Sequence, residues 1–286
     1  MPRLLLDLTP LRESPAFRRL WIGSTMSMLG NQFTVVAISL EVFELTRSTF
    51  AVGMVGVAAL LPLIVSGLYG GSMGDAHNRR TVGLWTTFGL FAVTVALAVH
   101  SWAHISSLVV LYTLVALHSF AQGLNQPVRG AIVPRLVPTR QLPAANALFQ
   151  LTMGSTLMVG PLLGALTVAG LGFQWAYTAD ALTFMVSLWA MYKLPSLPPD
   201  GVPSRAGFRS VVEGFRFLAT RPNLRMTFLL DMAAMFFAMP RALFPVLGAT
   251  VLGGDQFTVG LLTAALAAGS VLAGLLSGPL VRLNRH

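Results

Sequence analysis

Apolar runs of membrane-spanning length recur along the whole chain of 286 residues. A helix needs about 20 consecutive apolar residues to cross the hydrocarbon core of a bilayer. Hydrophobic residues make up 55% of the chain and charged residues only 10%, and the mean hydropathy is +0.71. Backbone polar groups inside a bilayer have no water to bond, so such runs fold as helices. The sequence therefore predicts an all-α, polytopic membrane protein.

The runs predict eight transmembrane helices in two unequal groups. A longer connection at residues 194–224 separates the first six spans from the last two. Within it, Phe208, Val211 and Phe215 recur at helical spacing, which is typical of an amphipathic helix on a membrane surface. We therefore expect a six-helix bundle at 1–193, a cytoplasmic linker at 194–224 and a partial second bundle at 225–286. The predicted spans are roughly 18–43, 50–72, 82–100, 106–125, 146–170, 174–193, 225–249 and 257–281.

The distribution of positive charge predicts the orientation of the chain. With the N-terminus in the cytoplasm, seventeen of the 19 lysines and arginines fall on the cytoplasmic side, including Arg129 and Arg135 in a predicted loop. Only Arg47 lies outside, and Arg241 lies within a span. This asymmetry follows the positive-inside rule. The net charge of +9 therefore indicates membrane topology rather than a nucleic-acid partner, and predicts a multi-pass protein of the cytoplasmic (inner) membrane with the lipid bilayer as its partner.

Sequence features typical of enzymes and metal sites are absent. The chain contains no cysteine, which excludes disulfides and thiolate ligands. His100 and His104 have a spacing that metal ligands use, but no carboxylate or cysteine accompanies them. A glycine-rich phosphate loop with its lysine is also missing, which argues against direct use of ATP. We expect neither an enzyme nor a bound cofactor.

A weak internal repeat relates the second span to the eighth. A shift of 207 residues places Phe50, Gly53 and Gly67 on Phe257, Gly260 and Gly274. Matching these spans implies two parallel halves of six helices each. About four spans of the second half would then be missing, and the chain is expected to be truncated at His286.

The connection between spans 2 and 3 carries a family resemblance. Gly71-Ser72-Met73-Gly74-Asp75, followed by Arg79-Arg80, resembles the signature loop of the major facilitator superfamily. The resemblance implies the major facilitator fold and a conformational latch between its two halves. In that latch Gly71 allows close packing, Asp75 is the carboxylate, and Arg79 and Arg80 are the basic part.

Two departures from this signature leave an alternative open. Ala76 stands where the superfamily often has arginine, and Asn78 where it usually has glycine. Arg79 and Arg80 are, in the alternative, only topology anchors.

The fifth span carries a second resemblance. Gly154, Gly160, Pro161 and Gly164 match much of the Gly-x3-Gly-Pro-x2-Gly-Gly pattern of exporters in this superfamily, with Ala165 in place of the last glycine. Proline removes a backbone donor and glycines permit close approach, so the helix can bend here. Ordinary close packing is the alternative.

Three further segments resemble one branch of the superfamily, which contains enterobactin exporters and macrolide efflux proteins. They are 29–33, 127–138 and 145–148. The resemblance implies export of a small-molecule substrate such as a drug, a macrolide or a siderophore.

Polar side chains at helical spacing predict a cavity. Three- and four-residue steps place them on one face of span 1, and span 4 has a similar set. Hydrogen bonds between helices are the alternative role. The candidate cavity-lining residues are Ser24, Ser27, Asn31, Thr34, His118, Gln122 and Asn125.

Ionisable residues inside the predicted spans are candidates for proton coupling, because charge in hydrocarbon is costly and usually functional. They are Asp231, Arg241, Asp180 and Glu41. Asp180 and Glu41 have a second interpretation, at the solvated outer interface. Ser119 stands where many proton-coupled relatives have an arginine, so the resemblance and these carboxylates alone imply coupling to protons.

The predicted function is secondary active efflux of an amphiphilic small molecule, by proton-coupled antiport and alternating access. A facilitator-type importer of a small solute is one alternative. A non-transporting membrane fragment is the other, if the chain ends at residue 286.

Overall fold

A computed structural model of the chain describes residues 7–198, 216–237 and 269. Within those residues the regular structure is helical, with one short 3-10 turn at Thr139–Gln141 and no strand. The α-helices are α1 (Thr9–Glu13), α2 (Pro15–Thr46), α3 (Thr49–Ala76), α4 (Arg79–Trp102), α5 (Leu108–Leu136), α6 (Leu142–Leu171), α7 (Phe173–Tyr192) and α8 (Pro222–Phe237).

Local sequence signals set several helix boundaries. Ser14, Ser48 and Ser107 precede α2, α3 and α5, and each side chain accepts a hydrogen bond from the backbone N–H three residues later. Such caps satisfy one of the amide donors that a helix start leaves unpaired. Arg47 ends α2 at φ 50°, and Gly172, at φ 95°, separates α6 from α7. These signals account for the short connections between long helices.

Five helices of the described part are long and apolar enough to cross a membrane, namely α2 to α6. α7 occupies the predicted sixth span and has 20 residues. α8 begins three residues before the predicted seventh span and covers the first part of it, to Phe237, whereas the eighth span lies almost wholly outside the described residues. Most of the predicted linker helix also lies outside them, although residues 216–220 are helical.

Two predicted helix ends are wrong. The second span was predicted to end at residue 72, but α3 continues to Ala76. The fourth was expected to end at residue 125, but α5 continues through two prolines to Leu136. Arg129 and Arg135 therefore lie on a helix and not in a loop.

Helices α2 to α7 pack pairwise into one bundle. α2 packs against α6 and α7, α3 against α5, and α4 against α5 and α7. Gly23 and Gly30 let α2 approach α7 closely, since a Cβ at Gly23 would lie 2.6 Å from the Ala190 Cβ. Gly70 does the same between α3 and α5, where its Cβ would lie 2.9 Å from the Leu124 Cα. Small residues at such contacts are typical of membrane helices.

Apolar side chains occupy both ends of the bundle and much of its outer surface. One buried cluster contains Phe17 and Met191, and another, at the opposite end of α2, contains Val42 and Tyr177. On the outside, large apolar side chains are exposed; Phe50, for example, is 77% exposed. An apolar exterior suits contact with lipid, and it leaves the polar side chains for the interior.

Candidate functional site

A cavity of about 750 Å³ lies between α2, α5 and α6. It occupies the half of the bundle that contains the N-terminal parts of α2 and α6 and the C-terminal part of α5. Apolar side chains such as Leu20, Phe149 and Phe184 alternate around it with amides such as Gln126 and Gln150. Of the predicted lining residues, the structure places these in its wall: Ser24, Ser27, Asn31, Gln122 and Asn125.

Thr34 and His118 lie elsewhere. Thr34 is fully buried, and its hydroxyl donates a hydrogen bond of 2.6 Å to Asp180. His118 is buried with its ring edge-on to Phe184, at 6.4 Å between ring centroids. Thr34 thus has the interhelical role that was the alternative for this polar stripe.

Arg129 is the main cavity residue that sequence reasoning missed. On α5 it lines the cavity wall, and its guanidinium donates to hydroxyls from three other helices. Nη1 lies 3.1 Å from the hydroxyls of both Ser24 and Ser27, and Nη2 lies 2.5 Å from Ser187 and 3.4 Å from Thr87. Arg129 therefore connects α5 to α2, α4 and α7.

A sequence signal for Arg129 was present. His118, Gln122 and Asn125 already follow helical spacing, and Arg129 comes four residues after Asn125. Continuing α5 by one turn places it on the same face. The signal was missed because the predicted fourth span ended at residue 125, which placed Arg129 in a loop and in the positive-inside count.

No carboxylate neutralises Arg129 within the part of the chain that the structure describes. Its described hydrogen-bond partners are all hydroxyls, and the described cavity wall contains neither aspartate nor glutamate. The Nε atom is buried and has no hydrogen-bond partner. Among the described residues, therefore, nothing neutralises the charge of this cation in the cavity wall.

Asp180 is buried between α2 and α7, with 0% exposure. Its Oδ2 accepts the Thr34 hydrogen bond, and its Oδ1 lies 3.3 Å from the Thr183 hydroxyl. Gly30 packs against it, since a Cβ at Gly30 would lie 2.5 Å from Oδ1. Asp180 is therefore buried within the helix bundle and not exposed to solvent.

Glu41 lies near the other end of α2 and is 8% exposed. Its Oε2 accepts a hydrogen bond of 2.6 Å from the Tyr177 hydroxyl, and its Oε1 lies 3.9 Å from Nδ1 of His100. Both ring nitrogens of His100 lack a hydrogen-bond partner. A second, smaller cavity of about 180 Å³ borders Glu41 and Glu44, so this cluster is next to open space.

These groups form three levels along one face of α2. Ser27 contacts Arg129, Thr34 contacts Asp180, and Glu41 contacts Tyr177. Successive levels are seven residues apart on α2, which corresponds to about 10 Å along a helix. Buried polar contacts therefore recur along α2 between the larger cavity and the smaller one.

Of the remaining proton-coupling candidates, only Asp231 is described, and it does not join this arrangement. Asp231 is exposed on α8, and Arg241 lies outside the described residues. Within the described ranges, His, Asp and Glu side chains form no group that could hold a metal ion.

The connection between α3 and α4 is attached to the end of α7. Asn78 accepts from the Leu197 amide at 3.2 Å and donates to the Ser196 hydroxyl at 2.7 Å. Arg80 donates to the Tyr192 carbonyl at 2.7 Å and lies over the Tyr192 ring. The backbone of Arg79 also bonds the Leu197 carbonyl. Gly71 and Asp75 belong to the last turns of α3, and their side chains lie outside the described set.

The glycines of the exporter-like pattern face α2. A Cβ at Gly160 would lie 2.6 Å from Cγ of Gln32, and one at Gly164 would lie 3.2 Å from Cα of Phe33. Gly154 is buried on the same helix, which continues through Pro161. The pattern thus creates a close α2–α6 contact beside the cavity wall, where Gln32 also lies.

Comparison with known proteins gives consistent matches over nearly the whole chain. The family described as "Transmembrane secretion effector" matches residues 6–284. The enterobactin exporter EntS of Shigella boydii serotype 18 is 28% identical over 281 residues, which cover 98% of this chain and 67% of that protein. EntS of Escherichia coli O139:H28 has the same identity and coverage.

A solved structure shares the fold. The crystal structure of an auto-inhibited peptide transporter of the POT family superposes with a TM-score of 0.54 at 15% sequence identity. The match covers 95% of this chain and 53% of that chain. This chain therefore spans about half the length of that transporter.

Proposed function

This chain belongs to the transmembrane secretion effector family of the major facilitator superfamily, and we propose on that basis that it is a secondary active exporter of amphiphilic small molecules. The 750 Å³ cavity is the observation that carries the proposal. Pockets for drug-sized ligands measure about 300–1,000 Å³ and combine apolar walls with a few polar groups. The wall here has both kinds of side chain.

Siderophores, macrolides and other drugs are the proposed substrate classes. The similar EntS proteins are named as exporters of enterobactin, and the branch resemblance adds macrolides. Amides and hydroxyls in the wall suit oxygen-rich compounds, and Phe149 and Phe184 supply aromatic surface.

Proton antiport is the proposed energy source. Asp180 and Glu41 are carboxyl groups buried in the bundle, and burying a charged carboxylate without a cation is costly. A buried carboxyl avoids this cost by binding a proton, and it can release that proton when it is exposed to water. Asp231 and Arg241 in the second bundle are further candidates from the sequence.

Alternating access between two bundles is the proposed mechanism. Residues 1–193 would form the first bundle, 194–224 the linker and 225–286 the start of the second. Gly71, Asp75, Arg79 and Arg80 would belong to the latch, and the glycines around Pro161 would allow α6 to bend. With the N-terminus in the cytoplasm, the large cavity would occupy the cytoplasmic half.

Everted membrane vesicles that contain the full chain provide the test. An exporter moves substrate into such vesicles, so enterobactin or a macrolide should accumulate inside when the lumen is acidified. A proton ionophore should abolish the accumulation. Substrate flux that is the same with and without the proton gradient would favour the facilitator-type alternative. Uptake no greater than in vesicles that lack the protein would contradict export.

A further inference from the structure

Arg129 has an environment that its contacts inside the protein do not fully explain. Four hydroxyls accept from its two terminal nitrogens, and its Nε has no acceptor. Hydroxyls orient a guanidinium but supply no negative charge. Among the described residues, no carboxylate does so either.

An uncompensated cation inside a membrane bundle is expensive. Arginine is effectively always protonated in proteins, so it cannot lower this cost by losing its proton. Charged residues within membrane spans face the bundle interior or a water-filled cavity, and they mark ligand or ion pathways. Since no described residue supplies the opposite charge, a ligand that enters the cavity can supply it.

The surroundings of Arg129 favour an amphiphilic anion. A guanidinium binds carboxylates and similar oxyanions through paired N–H donors. Ser24 also lines the cavity, and a hydroxyl that accepts from arginine still has its own proton to donate. Apolar side chains such as Leu20 and Phe184 lie in the same wall, and these suit a hydrophobic body.

We propose that Arg129 and the Ser24 hydroxyl bind the anionic group of an amphiphilic organic acid inside the cavity. The inference rests on the proposed export function and narrows its substrates to compounds with an acidic oxygen group. The hydroxyls of Ser27, Thr87 and Ser187 hold the guanidinium in position for that group.

Binding of a matched pair of dyes to the full chain in phosphatidylcholine nanodiscs tests this site. The probes are 7-diethylaminocoumarin-3-carboxylic acid and its carboxamide, which differ in charge but hardly in shape. We expect the acid to bind about tenfold more tightly, a typical value for one charge-assisted contact. Equal affinities for acid and amide in the unmodified protein would overturn the site without any variant.

Substitutions then assign the preference to Arg129. Arg129→Gln should abolish the preference for the acid, and Arg129→Lys should retain part of it. Arg140→Gln is the matched control, because this arginine is exposed and pairs with Glu13 away from the cavity. The control should keep the full preference for the acid. An equal loss of preference in both glutamine variants would indicate an effect of net charge and overturn the proposal. An unchanged preference in Arg129→Gln would also overturn it.

Inorganic phosphate separates an amphiphile site from a site for small anions. At concentrations equal to that of the acid, phosphate should not displace it, because phosphate gains nothing from the apolar wall. Full displacement would overturn the amphiphile assignment. Since binding needs no proton gradient, loss of transport with intact acid binding would contradict only the proposed export function.

Discussion

The Thr34 hydroxyl donates a hydrogen bond of 2.6 Å to Oδ2 of Asp180. Both residues have 0% exposure, and the bond joins α2 to α7 in the middle of the bundle. A hydroxyl serves the carboxyl in either protonation state, because it can donate or accept. The contact can therefore persist through a protonation cycle, which suits a proton-coupling role.

Asp180→Asn is expected to uncouple transport from the proton gradient without unfolding the protein. Asparagine keeps an oxygen for Thr34 but cannot bind or release a proton, so the change in unfolding free energy should stay within about 1 kcal/mol. Gradient-driven uptake into everted vesicles should be lost, whereas exchange of labelled for unlabelled substrate should continue.

Thr34→Val is the matched control for this carboxyl. It removes the donor but keeps the carboxyl, so it should lower stability by about 1–3 kcal/mol and retain gradient dependence. A normal pH response in Asp180→Asn would exclude Asp180 from coupling.

Gly30→Ala is expected to destabilise the α2–α7 contact. A Cβ at this position would lie 2.5 Å from Oδ1 and 3.0 Å from Cα of Asp180. Overpacking of this kind typically costs about 1–3 kcal/mol. The measurement is the thermal unfolding midpoint in detergent, which should fall by several degrees.

Gly53→Ala is the control for Gly30, because an added Cβ there meets no atom within 4 Å. Alanine favours a helix over glycine by about 1 kcal/mol, so this variant should unfold at an equal or higher temperature. Equal midpoints for both variants would argue against the close contact at Gly30.

Tyr177→Phe is expected to cost more stability than Tyr112→Phe. The Tyr177 hydroxyl bonds the buried Glu41, whereas the Tyr112 hydroxyl bonds the Ala51 carbonyl at 2.8 Å. Leaving a buried carboxyl without its donor costs about 1–3 kcal/mol, against about 1 kcal/mol for an ordinary hydrogen bond. Unfolding of Tyr177→Phe, Glu41→Gln and the double variant would measure the coupling between the two residues, and additive losses would contradict it.

Arg80→Lys distinguishes two roles of Arg80: anchoring the topology of the chain in the membrane, and packing against Tyr192. Lysine keeps the charge, so the orientation of the chain should not change. It loses the planar guanidinium over Tyr192, and arginine and lysine differ at such sites by about 1 kcal/mol. Arg140→Lys, at an exposed pair with Glu13, is the control. Equal unfolding temperatures for the two variants would favour the anchor-only interpretation of Arg80.

The all-helical class could be predicted from the apolar runs of membrane-spanning length, and part of the cavity wall from helical spacing. Ser27 and Asn125 repeat on one face of their helices, and both line the cavity. Periodicity does not distinguish a cavity wall from a helix interface, however. Thr34 has the same spacing, yet it lies against Asp180 because α7 packs there.

Helix ends were harder to predict because tertiary contacts override local breakers. The predicted second and fourth spans ended at residues 72 and 125, but α3 continues past Gly70, where α5 approaches, to Ala76, and α5 continues past Pro127 to Leu136. Arg129 was lost with that boundary. The sequence therefore predicted the interior carboxyls Asp180 and Glu41 but not the interior cation Arg129.

Gly160→Ala is expected to lower the upper size limit of the substrates that the protein transports. A Cβ at Gly160 would lie 2.6 Å from Cγ of Gln32, a flexible side chain that lines the cavity. Gln32 must move, and the close α2–α6 contact leaves the cavity as the direction for its displacement. Uptake of large macrolides should therefore fall more than uptake of small substrates. Gly170→Ala, on the same helix with no atom within 4 Å of an added Cβ, should leave both rates unchanged. An equal reduction for large and small substrates would indicate that Gly160 acts through helix bending and not through the cavity wall.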